Sequence, residues 1–377
     1  MTLRSLSPAD AHIRQCAGAL LIDIRAAHER ALGMALDAYG VAREVLERDP
    51  RAHLPETSIE VLLICQTGWR SAQCAQALLA RGYRNVGTVE GGTEAWERAG
   101  LPMHAARIDA DFAERYSRHL RLPEVGLDGQ KKLQAARVLV VGAGGLGAPA
   151  AFYLAAAGIG TLRMADDDVV ERSNLQRQIL HTDARIGMPK VESAALALVA
   201  LNPRVNVESV CERVTSANVE RLLDGVDVVL DGGDNFPVRY LLNDACVALG
   251  KPLVYGAVHR FEGQVSVFDA GRMRGGAPCY RCLFPEPPPP EAAPNCSEAG
   301  VLGVLPGVIG MLQATEVIKL VLGIGEPLRG RLLQFDALAM RFRETRLTAD
   351  PQCPVCAPDC AFPGYVDYAA SCAEGTG

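Results

Sequence analysis

The feature that most constrains this chain is a glycine-rich turn between an apolar segment and an alanine-rich one. Residues 137–141 (RVLVV) predict a buried strand, and Gly142-Ala-Gly-Gly-Leu-Gly147 then leads into a helix that we expect to end at Gly158. Gly142, Gly144 and Gly147 fit the spacing G-x-G-x-x-G, in which the backbone approaches a phosphate and the helix N-terminus faces its charge. The sequence therefore predicts a nucleotide-binding βαβ unit here.

Strands and helices continue to alternate after this turn. Residues 161–165 and 226–230 predict further strands, and residues 190–201 predict a helix between them. Such a succession is typical of a doubly wound, mostly parallel sheet, which binds its ligands at the carboxyl ends of the strands. This part of the chain is therefore expected to have a Rossmann-like fold of the α/β class.

The predicted elements divide the chain into two folded domains. Its 377 residues suit two to three domains of ordinary size. In the N-terminal part, strands are expected at 19–24 and 61–65 and helices at 35–48 and 71–80, which again predicts an α/β layer fold. We expect a first domain over residues 1–105, a linker over 106–111, a second domain over 112–357 and a tail over 358–377.

Composition excludes some function classes. The net charge of −6 argues against a protein that holds nucleic acid on a basic surface. Residues 138–162 contain no charged residue, but their six glycines and one proline favour a strand, a turn and a helix over a membrane span. The N-terminal residues lack the apolar core of an export signal, so we expect a cytoplasmic protein without membrane association.

Charged and amide side chains follow the glycine turn in a pattern that suits chemistry at a phosphate. Asp166 ends the next predicted strand, where an acid can hold a ribose hydroxyl. Arg177 and Lys190 would neutralise charge on phosphoryl oxygens, Asp234 would hold Mg²⁺, and Asn235 adds an amide. Hydride transfer needs none of these last four groups, which argues against the alternative of an NAD-dependent oxidoreductase.

Two Cys-x-x-Cys pairs predict a metal site. Cys279 and Cys282 form one pair, and Cys353 and Cys356 form the other. Paired motifs of this spacing are typical of a closed, structural Cys₄ zinc site, with a redox pair as the alternative. In a reducing compartment the remaining cysteines are buried, catalytic or metal-bound, and we place four of them in the core. These four are Cys16, Cys74, Cys211 and Cys246.

Residues 112–357 resemble the MoeB/ThiF family of adenylyltransferases, which are relatives of the ubiquitin-activating enzymes. The motifs that carry the resemblance are RYSR at 115–118, the turn at 142–147, SNLQRQ at 173–178, GMPKVESA at 187–194, Asp234-Asn235, CYRC at 279–282, NCSEAGV at 295–301 and CPVC at 353–356. The resemblance implies that ATP is bound by Gly145, Asp166, Ser173, Asn174, Arg177, Lys190, Asp234 and Asn235.

The resemblance also implies two features outside that set. Arg118 would reach into the site of a neighbouring subunit, which requires a homodimer. Cys296 follows the proline-rich segment 285–294, at a position where some members of the family bond covalently to their carrier protein and others do not.

A further cysteine in the N-terminal domain lies in a reactive setting. Cys65 ends an apolar strand and opens the loop Cys65-Gln-Thr-Gly-Trp-Arg70, which leads into a helix. A helix N-terminus and a neighbouring arginine favour the thiolate form of a cysteine, which is the nucleophilic form. The sequence therefore predicts a catalytic Cys65 supported by Arg70.

This domain resembles the rhodanese sulfurtransferases. Asp23-Ile-Arg25 matches their D-x-R motif, and residues 90–96 (EGGTEAW) with Leu101-Pro102 match their closing motifs. Four residues separate Cys65 from Arg70, whereas related phosphatases have five, so the resemblance implies a loop sized for a persulfide. Residues 33–38 (GMALDA) depart from the usual G-H-x-P-G-A.

Together the two resemblances imply a two-step reaction. The larger domain would use ATP and Mg²⁺ to adenylate the C-terminal glycine of a small ubiquitin-like sulfur carrier that ends in Gly-Gly. Cys65, charged as a persulfide by thiosulfate or a cysteine desulfurase, would then supply sulfur and leave a thiocarboxylate. Carriers of this family serve molybdopterin, thiamine or tRNA thiolation. The alternative is an adenylyltransferase whose N-terminal domain is only a docking module.

Overall fold

The computed structural model describes residues 3–105, 108–287 and 300–367. The chain forms two compact units, residues 1–130 and 131–377. Both contain parallel sheets covered by helices, so the predicted α/β class is confirmed. Residues 110–120 belong to the first unit, and the expected domain bounds at 105 and 112 stay a prediction.

The first unit is built on a parallel sheet with the strand order β1-β6-β5-β2-β4. Its central strands are apolar and buried on both faces, as parallel strands between helices are. The described strands are β1 (Arg4–Leu6), β2 (Leu20–Asp23), β3 (Gly33–Ala35), β4 (Tyr39–Gly40), β5 (Val61–Ile64), β6 (Val86–Val89) and β7 (Met103–Ala105). The described helices are α1 (Pro8–Cys16), α2 (Ala27–Arg30), α3 (Arg43–Arg48), α4 (Pro50–His53), α5 (Trp69–Ala80), α6 (Gly92–Arg98), α7 (Ala110–Arg115) and α8 (Ser117–Leu120).

The helix predicted over residues 35–48 is wrong in its first half. Only α3 is helical, and the preceding residues form the short strands β3 and β4. Ala35 pairs with Met103 of β7, and Asp37 has a φ of 58°, which no helix residue adopts. Pairing with a distant strand has overridden the local helix preference.

The second unit is built on a mixed sheet with the strand order β10-β9-β8-β11-β12-β13-β14-β15. Strands β8 to β12 run parallel, as predicted, whereas β13, β14 and β15 extend the sheet as antiparallel strands. The strands are β8 (Arg137–Val141), β9 (Thr161–Ala165), β10 (Asn206–Val210), β11 (Val228–Asp231), β12 (Leu253–His259), β13 (Glu262–Phe268), β14 (Arg331–Asp336) and β15 (Arg341–Arg346). The helices described from residue 126 onwards are α9 (Gly126–Ala135), α10 (Gly147–Ala157), α11 (Lys190–Leu201), α12 (Val219–Leu223), α13 (Phe236–Ala248), α14 (Tyr280–Leu283) and α15 (Leu305–Leu322).

Helix α15 is the single described helix that is long and apolar enough to cross a membrane. Half of it is buried within its own unit, where it packs against α10 and β12. A Cβ at Gly310 would lie 2.4 Å from the Leu146 carbonyl oxygen, so the glycine lets α15 approach α10 closely. This is the placement of a core helix, and it fixes the end of α10 that begins at the glycine turn.

The cysteines predicted to lie in the core divide into two groups. Cys74 and Cys246 are buried, and burial raises the pKa of Cys74 to about 12, so both behave as apolar core residues. Cys16 and Cys211 are exposed, and for them the prediction is wrong. Cys16 ends helix α1 and Cys211 follows the edge strand β10, so both lie where an element reaches solvent.

Candidate functional sites

The glycine turn joins strand β8 to helix α10, beside the end of strand β11, and needs glycine at defined positions. A Cβ at Gly147 would lie 1.8 Å from the Gly142 carbonyl oxygen, and Gly142 has a φ of +90° with Gly232 packed against it. Within the described residues, the N–H groups of Gly144 and Gly145 donate no hydrogen bond. Free backbone donors at the start of a helix form a binding site for anions such as phosphate.

Asp166 anchors the turn to the end of the neighbouring strand β9. Its carboxylate accepts hydrogen bonds from the backbone N–H of Ala143 at 2.7 Å and of Asp168 at 2.9 Å. Burial raises the pKa of Asp166 and outweighs the nearby charge of Lys190, which acts to lower it. A hydrogen-bond donor that enters the crevice, such as a hydroxyl, would therefore stabilise the ionised carboxylate of Asp166.

The two predicted cations reach the crevice from different elements. Lys190 is the first residue of α11, its side chain is buried, and its Nζ lies 2.6 Å from a carboxylate oxygen of the exposed Asp168. Arg177 donates to the Asn174 side chain at 3.0 Å and to the Ser173 carbonyl at 3.4 Å. Neither bond of Arg177 is to a carboxylate, so its charge remains available to an anionic ligand.

A buried ion pair holds the turn after strand β11, which lines the crevice. Arg239 donates to Asp231 at 3.0 Å and to the Gly233 carbonyl at 3.1 Å, and both side chains of the pair are almost fully buried. This pair holds the turn that presents the exposed Asp234. Asn235 accepts a hydrogen bond from the Val238 N–H and thereby caps helix α13. Sequence reasoning missed the pair because its partners lie on a strand end and a helix.

The structure brings most of the predicted nucleotide residues together around one crevice. Those that line it are Gly142, Gly144, Gly145, Asp166, Arg177, Lys190, Asp234 and Asn235. Gly147 shapes the turn instead, while Ser173 and Asn174 support Arg177. Among the residues that no motif indicated, the cation Arg213 and the apolar Pro306 also line the crevice.

Two predicted residues stand outside this geometry. Arg118 is an exposed residue of α8 in the first unit, and its predicted contribution to a neighbouring subunit's site stays a prediction. Cys296 and most of the proline-rich segment lie outside the described residues.

The four cysteines of the paired motifs form one cluster. All four sulfurs lie within 4.8 Å of one another, with 3.6 Å between Cys279 and Cys353 and 3.4 Å between Cys282 and Cys356. Tetrahedral zinc with Zn–S bonds of about 2.3 Å places its sulfurs roughly 3.8 Å apart. The cluster therefore fits a Cys₄ zinc site that joins α14 to the segment after β15.

In the first unit, backbone donors surround the Cys65 sulfur. It accepts hydrogen bonds from the N–H groups of Gly68 at 3.2 Å and Ser71 at 3.3 Å, at the N-terminus of helix α5. The Ser71 hydroxyl lies 3.5 Å from the sulfur and is itself bonded to Thr88. Such a cradle stabilises negative charge on the sulfur.

Residues 90–96, which match a closing motif of the rhodaneses, pack against the backbone of the Cys65 loop. A Cβ at Gly92 would lie 2.1 Å from the Cys65 carbonyl oxygen, so no larger residue fits there. Thr93 donates to the same oxygen from its N–H at 2.7 Å and from its hydroxyl at 2.9 Å. The sequence motif is thus explained by close approach of two backbone segments.

The arginines near the loop are paired with carboxylates. Arg70 donates from both terminal nitrogens to Glu29, at 2.6 and 2.8 Å. Arg25 donates from Nε and one terminal nitrogen to the buried Asp23. Burial acts to raise the pKa of Glu29, but the hydrogen bonds from Arg70 and the Ala26 N–H, with the charges of Arg70 and Arg25, outweigh it and lower that pKa. Arg70 has no hydrogen bond to Cys65 in the described structure, and no sequence motif had indicated Glu29.

Both units match known families. Residues 116–355 match the ThiF family, and residues 7–99 match the rhodanese-like domain. The ThiF match alone covers more than half of the chain. Most of the ThiF match lies in the unit that contains the nucleotide crevice, and the rhodanese-like match lies in the unit that contains the Cys65 loop.

Several curated proteins are similar to this chain. The SAMP-activating enzyme E1 of Haloferax volcanii is 53% identical over 267 residues, which are 71% of this chain and 97% of that protein. The sulfur carrier protein adenylyltransferase of Thermus thermophilus is 52% identical over 260 residues, 69% of this chain and 96% of that protein. The probable adenylyltransferase/sulfurtransferase MoeZ of Mycobacterium tuberculosis is 50% identical over 250 residues, 66% of this chain and 64% of that protein.

Solved structures share the fold. The crystal structure of E. coli MccB with ATP superposes with a TM-score of 0.57 at 20% identity, over 75% of this chain and 85% of that one.

Proposed function

This chain belongs to the ThiF family, with a rhodanese-like domain ahead of the ThiF domain, and we propose that it activates a sulfur carrier and then transfers sulfur to it. The substrate is the C-terminal glycine carboxylate of a small ubiquitin-like carrier that ends in Gly-Gly. The similarity to the adenylyltransferase of Thermus thermophilus supports this substrate. ATP is the second substrate, and the products are the carrier adenylate and pyrophosphate.

The observation that carries the proposal is the composition of the crevice. Free N–H groups of the glycine turn, the buried Lys190, the available Arg177 and the exposed Asp234 all line it. In the proposed step, a carboxylate oxygen of the carrier attacks the α-phosphorus of ATP, and the bond to pyrophosphate breaks. The two cations stabilise negative charge on the phosphoryl oxygens as that bond lengthens.

Two metals complete the proposal. Mg²⁺, held by Asp234, neutralises phosphate charge when it is bound. Zinc, held by Cys279, Cys282, Cys353 and Cys356, has a structural role, because four thiolates leave no open coordination position for a substrate.

Sulfur transfer is assigned to Cys65. A sulfur donor, either thiosulfate or the persulfide of a cysteine desulfurase, passes its outer sulfur to the Cys65 thiolate, and sulfite or the desulfurase thiolate leaves. The N–H groups of Gly68 and Ser71 stabilise the Cys65 thiolate. The terminal sulfur of the Cys65 persulfide attacks the acyl carbon of the adenylate, and AMP leaves. Two thiols then reduce the resulting acyl disulfide, which yields the carrier thiocarboxylate and free Cys65, and the two thiols leave as a disulfide.

The proposed enzyme works as a homodimer. In this arrangement the exposed Arg118 enters the crevice of the partner subunit and adds a further cation to it. Cys296 would take part in transfer if the carrier bonds to it before sulfur arrives. We place the reaction in the cytoplasm, where ATP and reduced thiols are both present.

The test is ATP–pyrophosphate exchange with the full chain against a panel of carriers that end in Gly-Gly. We expect exchange that depends on both the carrier and Mg²⁺. Failure of every carrier to support exchange would contradict the proposal. A change in nicotinamide fluorescence on titration with the chain would favour an oxidoreductase instead.

A further inference from the structure

One buried histidine contacts the backbone of the glycine turn and has no part in the proposed chemistry. His181 is 6% exposed. Its Nε2 lies 2.9 Å from the Ala143 carbonyl oxygen, and its Nδ1 lies 2.9 Å from the Ser193 hydroxyl. The imidazole therefore bridges the turn and helix α11, which carries Ser193.

The direction of both hydrogen bonds follows from chemistry. Burial lowers the pKa of His181 and, with the charges of Lys190 and Arg185, outweighs the bond to the Ala143 carbonyl, which acts to raise it. The ring is therefore neutral at pH 7. A neutral imidazole has one N–H, and a carbonyl oxygen can only accept. The proton is therefore on Nε2, facing Ala143, and the lone pair of Nδ1 accepts from the Ser193 hydroxyl.

The carbonyl that His181 holds belongs to the same peptide unit as a predicted phosphate donor. In a planar trans peptide, the C=O of Ala143 and the N–H of Gly144 point in opposite directions. Fixing the carbonyl on His181 consequently directs the Gly144 N–H away from the histidine. Gly144 lines the crevice, and its N–H donates no hydrogen bond within the described residues.

The other side of the same residue is fixed as well. The N–H of Ala143 donates to Asp166 at 2.7 Å, so the peptide units on both sides of Ala143 are held by side chains. Through Ser193, the imidazole also ties the turn to the helix that begins with Lys190. The His181 side chain thus sets the position of the Gly144 N–H relative to Lys190.

We propose that His181 is a positioning residue for ATP. It holds the Ala143–Gly144 peptide so that the Gly144 N–H faces the phosphates, and it fixes the distance between the turn and Lys190. This inference rests on the proposed function in one respect, namely that the phosphates of ATP occupy the turn. The residue itself touches no reacting atom.

Three substitutions separate positioning from packing. His181→Gln places an amide nitrogen near the position of Nε2 and keeps the bond to Ala143, whereas His181→Asn places it near Nδ1 and loses that bond. His181→Phe keeps the ring and loses both bonds. We expect Asn and Phe to weaken ATP binding roughly tenfold, since each leaves a buried carbonyl unpaired, and Gln to stay within about threefold of the original chain.

The measurements are the Kd of Mg²⁺–ATP by calorimetry on the full chain, and the KM values for ATP and for carrier in pyrophosphate exchange. The KM for ATP should follow the Kd, while the KM for carrier stays unchanged. Ser193→Ala, which removes only the hydroxyl donor, should weaken ATP binding about threefold. Ser209→Ala is the matched control, because its hydroxyl donates to the Val191 carbonyl of the same helix without contacting the turn.

Each outcome decides the inference. Tighter ATP binding by the Gln variant than by the Asn and Phe variants supports positioning. Unchanged binding by the Phe variant, or equal losses in all three, overturns it. If His181 variants do not fold, an effect of Ser193→Ala equal to that of Ser209→Ala overturns it instead. ATP binding without exchange for any carrier would contradict the proposed function and leave this inference intact.

Discussion

The two reactive regions of this chain hold their arginines differently. In the Cys65 loop, Arg25 and Arg70 each donate two or more hydrogen bonds to a carboxylate, and the Cys65 sulfur accepts hydrogen bonds from backbone N–H groups. In the crevice, Arg177 bonds only to neutral groups, and Asp234 is exposed. The loop is thus complete before its small sulfur ligand arrives, whereas the crevice keeps charges available for a large polyanion and its metal.

The sharpest way to test this comparison is to remove one group from each region. Asp234→Ala should abolish pyrophosphate exchange, because the phosphates and Mg²⁺ lose their carboxylate anchor. Cys65→Ala should leave exchange normal, accumulate the carrier adenylate and make no thiocarboxylate from thiosulfate or a protein persulfide.

Controls keep this first prediction decisive. Circular dichroism of Asp234→Ala should match that of the unaltered chain, and Cys296→Ala tests whether another cysteine accepts the carrier first. Thiocarboxylate formed at the normal rate by Cys65→Ala would leave the rhodanese-like domain as a docking module only.

The second prediction compares the two cations. Arg177→Ala should lower the rate of exchange by about tenfold to a thousandfold, the range for loss of one charge partner of a transition state. Arg70→Ala should not change exchange and should act on sulfur transfer alone. Exchange rates within about twofold of normal for Arg177→Ala would show that its charge does not serve the phosphates.

The third prediction concerns the zinc cluster, which lies in the crevice unit. The chain should bind one zinc, and serine at Cys279 or Cys353 should lower metal content and the melting temperature together, by about 5 °C or more. Metal analysis and calorimetry measure both. Cys74→Ser is a control for loss of a buried thiol outside the cluster. An equal melting temperature with and without zinc would show that the metal does not stabilise the fold.

The smallest expected effect is a difference in pH dependence between the regions. The pKa of His181 is lowered from 6.5, so the unfolded chain takes up its proton first, and the stability that the neutral ring contributes is present above pH 6.5 and lost below it. The pKa of Glu29 is lowered from 4.5, so its contribution persists down to pH 4.5 and is lost below that.

Denaturant unfolding from pH 8 to pH 4 checks these windows. The difference in unfolding free energy between the original chain and His181→Gln should shrink below pH 6.5, by at most about 1.4 kcal/mol per pH unit. The corresponding difference for Glu29→Gln should stay constant to pH 4.5. A constant difference for His181→Gln across the whole range would mean that the ring does not titrate as the structure implies.

The secondary-structure elements that could be predicted from the sequence are those specified by local residue patterns. Three predicted elements coincide with the observed ones, namely the helix over residues 190–201 and the strands over 137–141 and 161–165. For each of them, the hydrophobic pattern and the residues that end the element are local in the sequence. The helix expected over 35–48 failed where Ala35 pairs with Met103, a partner that is far along the chain. Likewise, the antiparallel strands β13 to β15 depend on pairing that no single segment specifies.

By itself the sequence determined the features that need only neighbouring residues: the glycine turn, the Cys65 loop and the four cysteines whose spacing already defined two metal-binding pairs. The tertiary structure alone decided which distant side chains complete them. Three hydrogen-bonded pairs join residues between 8 and 41 positions apart: Glu29 with Arg70, Asp231 with Arg239, and His181 with Ala143. A short motif fixes its own backbone, but any of 44 acidic residues could have paired with Arg70. Only the fold selects one of them.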